Sequence, residues 1–221
     1  MFATQFILLT LTYVLHASAQ ENLTVAFFPS VEGRTCSQSP INEAISLTTY
    51  SIPNGYVCFN LSDIFTRTSD SGSQGLWRGP TDSVDQLVNY TLHNREDYNP
   101  TTNYTNVWYE QVNQTGEIKP GESGRWVFYT YAFEDCEQVG GDAFMPEKNY
   151  PWFETSCQTK DGGQCQELKQ PVKSFAIGPS AGYDANHGGC EEWAKMGDAS
   201  SLKGRTSLLA VVAIAMAILL V

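Results

Sequence analysis

Between Gly124 and Phe133 the chain reads GRWVFYTYAF. Successive side chains of an extended strand point to opposite faces, so Trp126 and Phe128 lie on one side and Val127, Tyr129, Tyr131 and Phe133 on the other. Both faces are apolar. Such a strand has no side to offer water, which predicts a central strand with something packed on each face of its sheet.

The other apolar runs are short, with turn chemistry between them. NLTVAFFP (22–29) reads as a first strand, and GYVCFNLSDIF (55–65) as another after the Pro53-Asn54-Gly55 turn. SVDQLVNYTLH (83–93) sets Val84, Gln86, Val88 and Tyr90 against Asp85, Leu87 and Asn89. TNVWYEQV (105–112) and VKSFAIG (172–178) complete the set. No segment shows a convincing amphipathic helix, and no internal repeat appears. The reading is an all-β, mostly antiparallel, disulfide-stabilised β-sandwich.

The ends carry a different signal. MFATQFILLTLTYVLHASAQ has an apolar core followed by Ala17-Ser18-Ala19, the pattern of a secretory signal peptide spanning 1–19. At the other end GDASSLKGRT (197–206) precedes an apolar run to Val221. That run is short for a membrane span, and its flanking Lys203 and Arg205 lie on the wrong side for a type I protein. Small residues, a polar spacer and an apolar tail instead match a GPI-attachment signal spanning 197–221, with Gly197 or Asp198 as the attachment site. The two ends together resemble those of GPI-anchored eukaryotic surface proteins. The resemblance implies an extracellular domain of 20–196, delivered by the secretory pathway and held on the outer face of the plasma membrane. Cys190 lies so close to Gly197 that the tether reaches about 25 Å at most, unlike the long Ser/Thr-rich stalks of fungal wall adhesins.

A formal net charge of −11 argues against nucleic acid as a partner, because phosphate binding needs clustered cations. Six cysteines, Cys36, Cys58, Cys136, Cys157, Cys165 and Cys190, imply disulfides in a secreted chain. In CQTKDGGQC the Asp161-Gly162-Gly163 turn suggests a hairpin that pairs Cys157 with Cys165, leaving Cys36–Cys58 and Cys136–Cys190 as the simplest completion. Five N-x-[ST] sequons, at Asn22, Asn60, Asn89, Asn103 and Asn113, imply N-glycans. Their bias toward 60–113 suggests one covered side and a bare C-terminal half.

VFYTYAFEDCEQVGG (127–141) and VKSFAIGP (172–179) carry Tyr-x-x-x-x-Cys and Ser-Phe motifs. These resemble strands of small secreted fungal proteins with a βγ-crystallin-like sandwich. The likeness spans 127–179, lacks the calcium ligands of that group, and implies a β-sandwich without implying an activity.

Catalytic chemistry finds little support. GPSAG (178–182) matches the G-x-S-x-G elbow, but YDANHGGCEEW is a poor helix, and Asp184 and His187 follow Ser180 too closely for a triad built from separate loops. A copper site on an N-terminal histidine, as in lytic polysaccharide monooxygenases, is disfavoured with Gln20 as the mature first residue. Glu134-Asp135, Glu137 and Glu191-Glu192 supply carboxylates, yet sequence sets no separation between them. We nominate no catalytic residue, metal ligand or cofactor. NYPWFE (149–154) reads as a loop, and its Tyr150, Trp152 and Phe153 are candidates for an exposed aromatic binding patch. The expectation is a non-enzymatic, anchored surface glycoprotein that binds or organises wall or extracellular glycans. A surface glycoside hydrolase with paired carboxylates, or a protein-recognition module, is the alternative.

Overall fold

A computed structural model describes residues 22–29, 41–76, 87–111, 119–137, 153–160 and 162–195. The signal-peptide region, Cys36, Asn113, Tyr150, Trp152, Gly197, Asp198 and the apolar tail lie outside the described residues.

The domain is an all-β sandwich of two antiparallel sheets. One sheet has the order β4 (Ser71–Gln74), β5 (Val88–His93), β2 (Ile45–Thr49), β1 (Leu23–Pro29), β6 (Tyr104–Gln111) and β9 (Gln164–Glu167). The other runs β11 (Ala194–Lys195), β8 (Phe153–Cys157), β7 (Ser123–Tyr131), β10 (Ser174–Pro179) and β3 (Val57–Asn60). We call them the first and second sheets. Among the described residues two short α-helices interrupt them: α1 (Leu61–Phe65), directly after β3, and α2 (Ser180–His187), directly after β10.

Alternation builds the core. Leu23, Val25 and Phe27 of β1, Val88, Tyr90 and Leu92 of β5, and Val107 and Tyr109 of β6 face inward from the first sheet. Val57 and Phe59 of β3, Trp126 and Phe128 of β7, and Phe175 and Ile177 of β10 meet them from the second. Phe175 lies at the centre, its ring centroid 4.9 Å from Phe59 and 5.2 Å from Phe27. The doubly apolar strand sits where its composition requires: β7 lies between β8 and β10, and every residue from Trp126 to Tyr131 is buried.

Both sheets share two ends. Leu23, Thr49, Gln74, Val88 and Gln111 mark one, where the Trp126 indole donates to the Ser51 carbonyl at 2.8 Å. Pro29, His93, Tyr104, Tyr131, Ser174 and Asn60 mark the other, where the Val172 amide donates to the Tyr104 carbonyl. The 50–56 loop belongs to the first of these ends. Lys195 pairs with Phe153, which pairs with Thr130, so β11 runs toward the opposite end.

Three expectations need correction. GYVCFNLSDIF is strand only to Asn60, since Leu61, Ile64 and Phe65 bury one side of a helical turn. CQTKDGGQC is no hairpin: Cys157 ends β8 in the second sheet, Cys165 lies in β9 of the first, and the turn carries the chain from one sheet to the other. The disulfides accordingly join Cys58 to Cys136 and Cys157 to Cys190, not Cys157 to Cys165, Cys36 to Cys58 or Cys136 to Cys190. Cys165 is disulfide-bonded as well.

Candidate functional site: the aromatic and acidic outer face of the second sheet

The outward residues of the second sheet are not left to solvent. Val127, Tyr129 and Tyr131 of β7 pack with Ala176, the Cys58–Cys136 disulfide and Tyr183 in a second apolar cluster. Helix α2 provides the cover. It starts from the extended Pro179 and ends at Gly188, whose φ of 78° is left-handed and whose amide donates to the Asp184 carbonyl. Ser180, Tyr183 and Asp184, spaced i, i+3 and i+4, form its buried side.

Two carboxylates are buried here, Glu154 on the sheet and Asp184 on the inner side of the helix. Glu154 stands between Tyr129 and Ala194 in the sheet register and is 1 % exposed. Its Oε2 has no hydrogen-bond partner. Burial raises its pKa above the ordinary glutamate value; Tyr183 and His187 pull it back, and Glu191 adds to the rise. Asp184 accepts from the Ser156 hydroxyl at 2.7 Å, while its Oδ2 is unpartnered. Burial, then the neighbouring Glu154, pushes the Tyr183 phenol well up. Burial and the Tyr56 phenol do the same to Tyr129.

At the loop-bearing end of this face an aromatic emerges. Tyr56 is 46 % exposed, yet its position is set. Its hydroxyl lies 2.8 Å from that of Tyr129, and the two rings meet edge to face with centroids 5.3 Å apart. Beneath it is Gly178, where even a Cβ would come within 3.3 Å of the ring. The first glycine of GPSAG therefore makes room for Tyr56.

The rest of that motif has a structural account. The strand and helix that a nucleophile elbow needs are both present, which corrects the expectation of a poor helix. Ser180, however, is 3 % exposed and donates to the Gly124 carbonyl at 2.6 Å. His187 donates from Nδ1 to the Tyr183 carbonyl at 2.8 Å and stacks on the Tyr183 ring with centroids 4.1 Å apart. Ser180, Asp184 and His187 share one helix, but each is bonded elsewhere and they form no relay.

Of the proposed aromatic patch, only Phe153 lies among the described residues, and it is buried in the core as the first residue of β8. It does not join an exposed patch. The sequons occupy both faces. Asn89 is exposed on the outer side of β5, whereas Asn60, at the end of β3, donates from its amide to Asp63 at 2.9 Å and Asp135 at 2.8 Å beside the second sheet. Asn103 is exposed just before β6, and Asn22 is half-buried just before β1. These positions do not share one side. Among the named carboxylates, Asp135 holds a left-handed φ of 56° against Asn60, and Glu192 accepts from Gln164. Glu154 and Tyr56 were not among the candidates from sequence. A Glu inside FETSC gives no sign of burial, and Tyr56 follows a turn that says nothing of Tyr129.

No family model, curated protein or solved structure matches this chain.

Proposed function

We propose that this chain is a GPI-anchored, N-glycosylated cell-surface protein that binds extracellular glycans through Tyr56 without hydrolysing them. The observation that carries the reading is a half-exposed ring already held in place by Tyr129 and seated over Gly178. The flat face of a tyrosine matches the C–H face of a sugar ring, and a side chain ordered before binding loses little entropy on contact. Binding is favoured over hydrolysis because a glycosidase needs two carboxylates flanking the scissile bond in an open site. Glu154 is instead buried in β8 and Asp184 on the inner side of α2.

The test is retention of the purified glycoprotein on a panel of insoluble wall polysaccharides. Retention on one polymer, lost with Tyr56→Ala and largely kept with Tyr56→Phe, supports the proposal. No retention on any polymer sinks it. The anchor is tested separately, by release from the surface of expressing cells with a phosphatidylinositol-specific phospholipase.

A second reading, recognition of a protein partner, draws on Ile52 and Leu87, exposed aliphatic side chains at the same end of the sandwich. A partner that is captured after polysaccharide digestion and lost with Ile52→Asp favours it.

A further inference from the structure

The outer face of the first sheet carries a shallow cleft of about 450 Å³, lined by Thr48, Tyr50, Ser71, Ser73, Asn89 and Thr91 among others. It is laid out in rows. Ser73 lies opposite Asn89 across β4 and β5, and Ser71 lies opposite Thr91. On the far side Thr48 pairs with Thr91 and Thr49 with Tyr90, and the next residue, Tyr50, lines the cleft together with Asn89. The backbone is tied there: the Asn89 amide donates to the Ser51 hydroxyl at 3.0 Å, and the Thr49 hydroxyl donates to the Asn89 carbonyl at 2.7 Å.

Asn89-Tyr90-Thr91 is a sequon, and its Asn and Thr both stand outward on this face. Unlike that of Asn60, the Asn89 side-chain amide has no carboxylate bonded to it among the described residues. Tyr50 beside it is 50 % exposed. Cross-strand neighbours lie about 4.5–5.5 Å apart, a gap that a single sugar residue spans.

We infer that the cleft is the seat of the chain's own Asn89-linked glycan. The first N-acetylhexosamine lies across Tyr50, and its hydroxyl and acetamido groups meet the Ser73, Ser71 and Thr48 hydroxyls. The attachment point sits inside the cleft, so the covalent link supplies the occupant at high effective concentration. An aromatic ring flanked by hydroxyls suits a pyranose, with one apolar face and a polar rim. This occupant removes Tyr50 from any external recognition surface and leaves Tyr56, on the other sheet, free for it. The inference rests on the secretory, glycosylated reading proposed above.

The test uses the full chain secreted from a eukaryotic host. Site-resolved glycopeptide mass spectrometry comes first. Thermal unfolding is then compared for the parent, Tyr50→Ala, Asn89→Gln and the double variant. Occupancy at Asn89, with Tyr50→Ala lowering Tm by about 2–4 °C in the parent and not in the Asn89→Gln background, is the expected result. Equal effects of Tyr50→Ala in both backgrounds overturn the inference. So does an empty Asn89 beside occupied sequons, which leaves the secretory reading intact; all sequons empty removes both. Enzymatic deglycosylation of the folded parent gives the same comparison without the Asn89 substitution, and must abolish the Tyr50→Ala effect.

Discussion

The Ser156 hydroxyl donates to Asp184 of α2 at 2.7 Å and accepts from the Glu191 amide at 3.0 Å. The Ser156 amide in turn donates to the Glu191 carbonyl at 2.9 Å. One buried serine thus ties strand β8 to the helix that covers the second sheet and to the segment leading into β11. Ser156→Ala removes the one hydrogen bond made to the buried Asp184 carboxylate among the described residues, and a loss of about 1–3 kcal/mol is expected. Urea unfolding monitored by tryptophan fluorescence measures it.

Glu154 gives stability a pH dependence of defined sign. Its native pKa lies above the unfolded value because burial disfavours the charged form. Between those two values the native state holds the proton more often than the unfolded state. Stability from this group is therefore greatest below the unfolded pKa and falls as pH rises through the native one. Glu154→Gln is expected to flatten that part of the profile and to raise stability at neutral pH. Tm measured from acid to neutral pH for both proteins tests this; parallel profiles would count against it.

Gln111 closes a defect in the second sheet. The pairing of β7 with β8 slips between Ser123 and Phe128. From β6 of the other sheet, Gln111 reaches across: its oxygen accepts the Arg125 and Trp126 amides at 3.0 Å, and its nitrogen donates to the Trp126 and Ser156 carbonyls at 2.9 Å. Gly124 is required beside it, since a Cβ there would lie 2.1 Å from the Gln111 amide. Gln111→Leu leaves several buried backbone groups unpaired, and a loss of about 2–4 kcal/mol is expected by chemical denaturation.

Gly178 is predicted to act on ligand binding more than on stability. Valine at this position would press on the Tyr56 ring, half in solvent, and on the buried Val127, each 3.3 Å from a Cβ there, and would push the ring off its seat on Tyr129. Gly178→Val should weaken polysaccharide retention to about the level of Tyr56→Ala while the protein stays folded, with a modest fall in Tm from the contact with Val127. Unfolding of the variant under conditions where Tyr56→Ala is stable would count against this role.

Non-reducing peptide mapping checks the cross-links. Peptides joining Cys58 to Cys136 and Cys157 to Cys190 are expected, and a Cys157–Cys165 peptide would contradict the fold.

Sequence revealed this sandwich where burial and composition agree. Strand β5, with Val88, Tyr90 and Leu92 inside and Asn89, Thr91 and His93 outside, carries its period openly. Strand β8 does not: Phe153, Glu154, Thr155, Ser156 and Cys157 are all buried, and three of them are polar. Helix α2 escaped because Gly182, Asp184 and Asn186 are weak helix formers, and because it packs on a tyrosine-lined sheet through only three buried residues. The disulfides escaped because they close separations of 78 and 33 residues, set by the order of strands and not by local turns. Tyr56 could be read as turn-adjacent, but what positions its ring is Tyr129 and Gly178, both far along the chain.

The direction of β11 has one more consequence. Lys195 points to the end of the sandwich opposite the 50–56 loop. The nine residues of β7 span about 30 Å at the rise of a strand. If the tether that follows Lys195 holds the domain to a bilayer, Tyr56, Ile52 and Leu87 stand about that far above it. On that arrangement they would face what approaches from outside, in trans, and not the lipids of their own membrane.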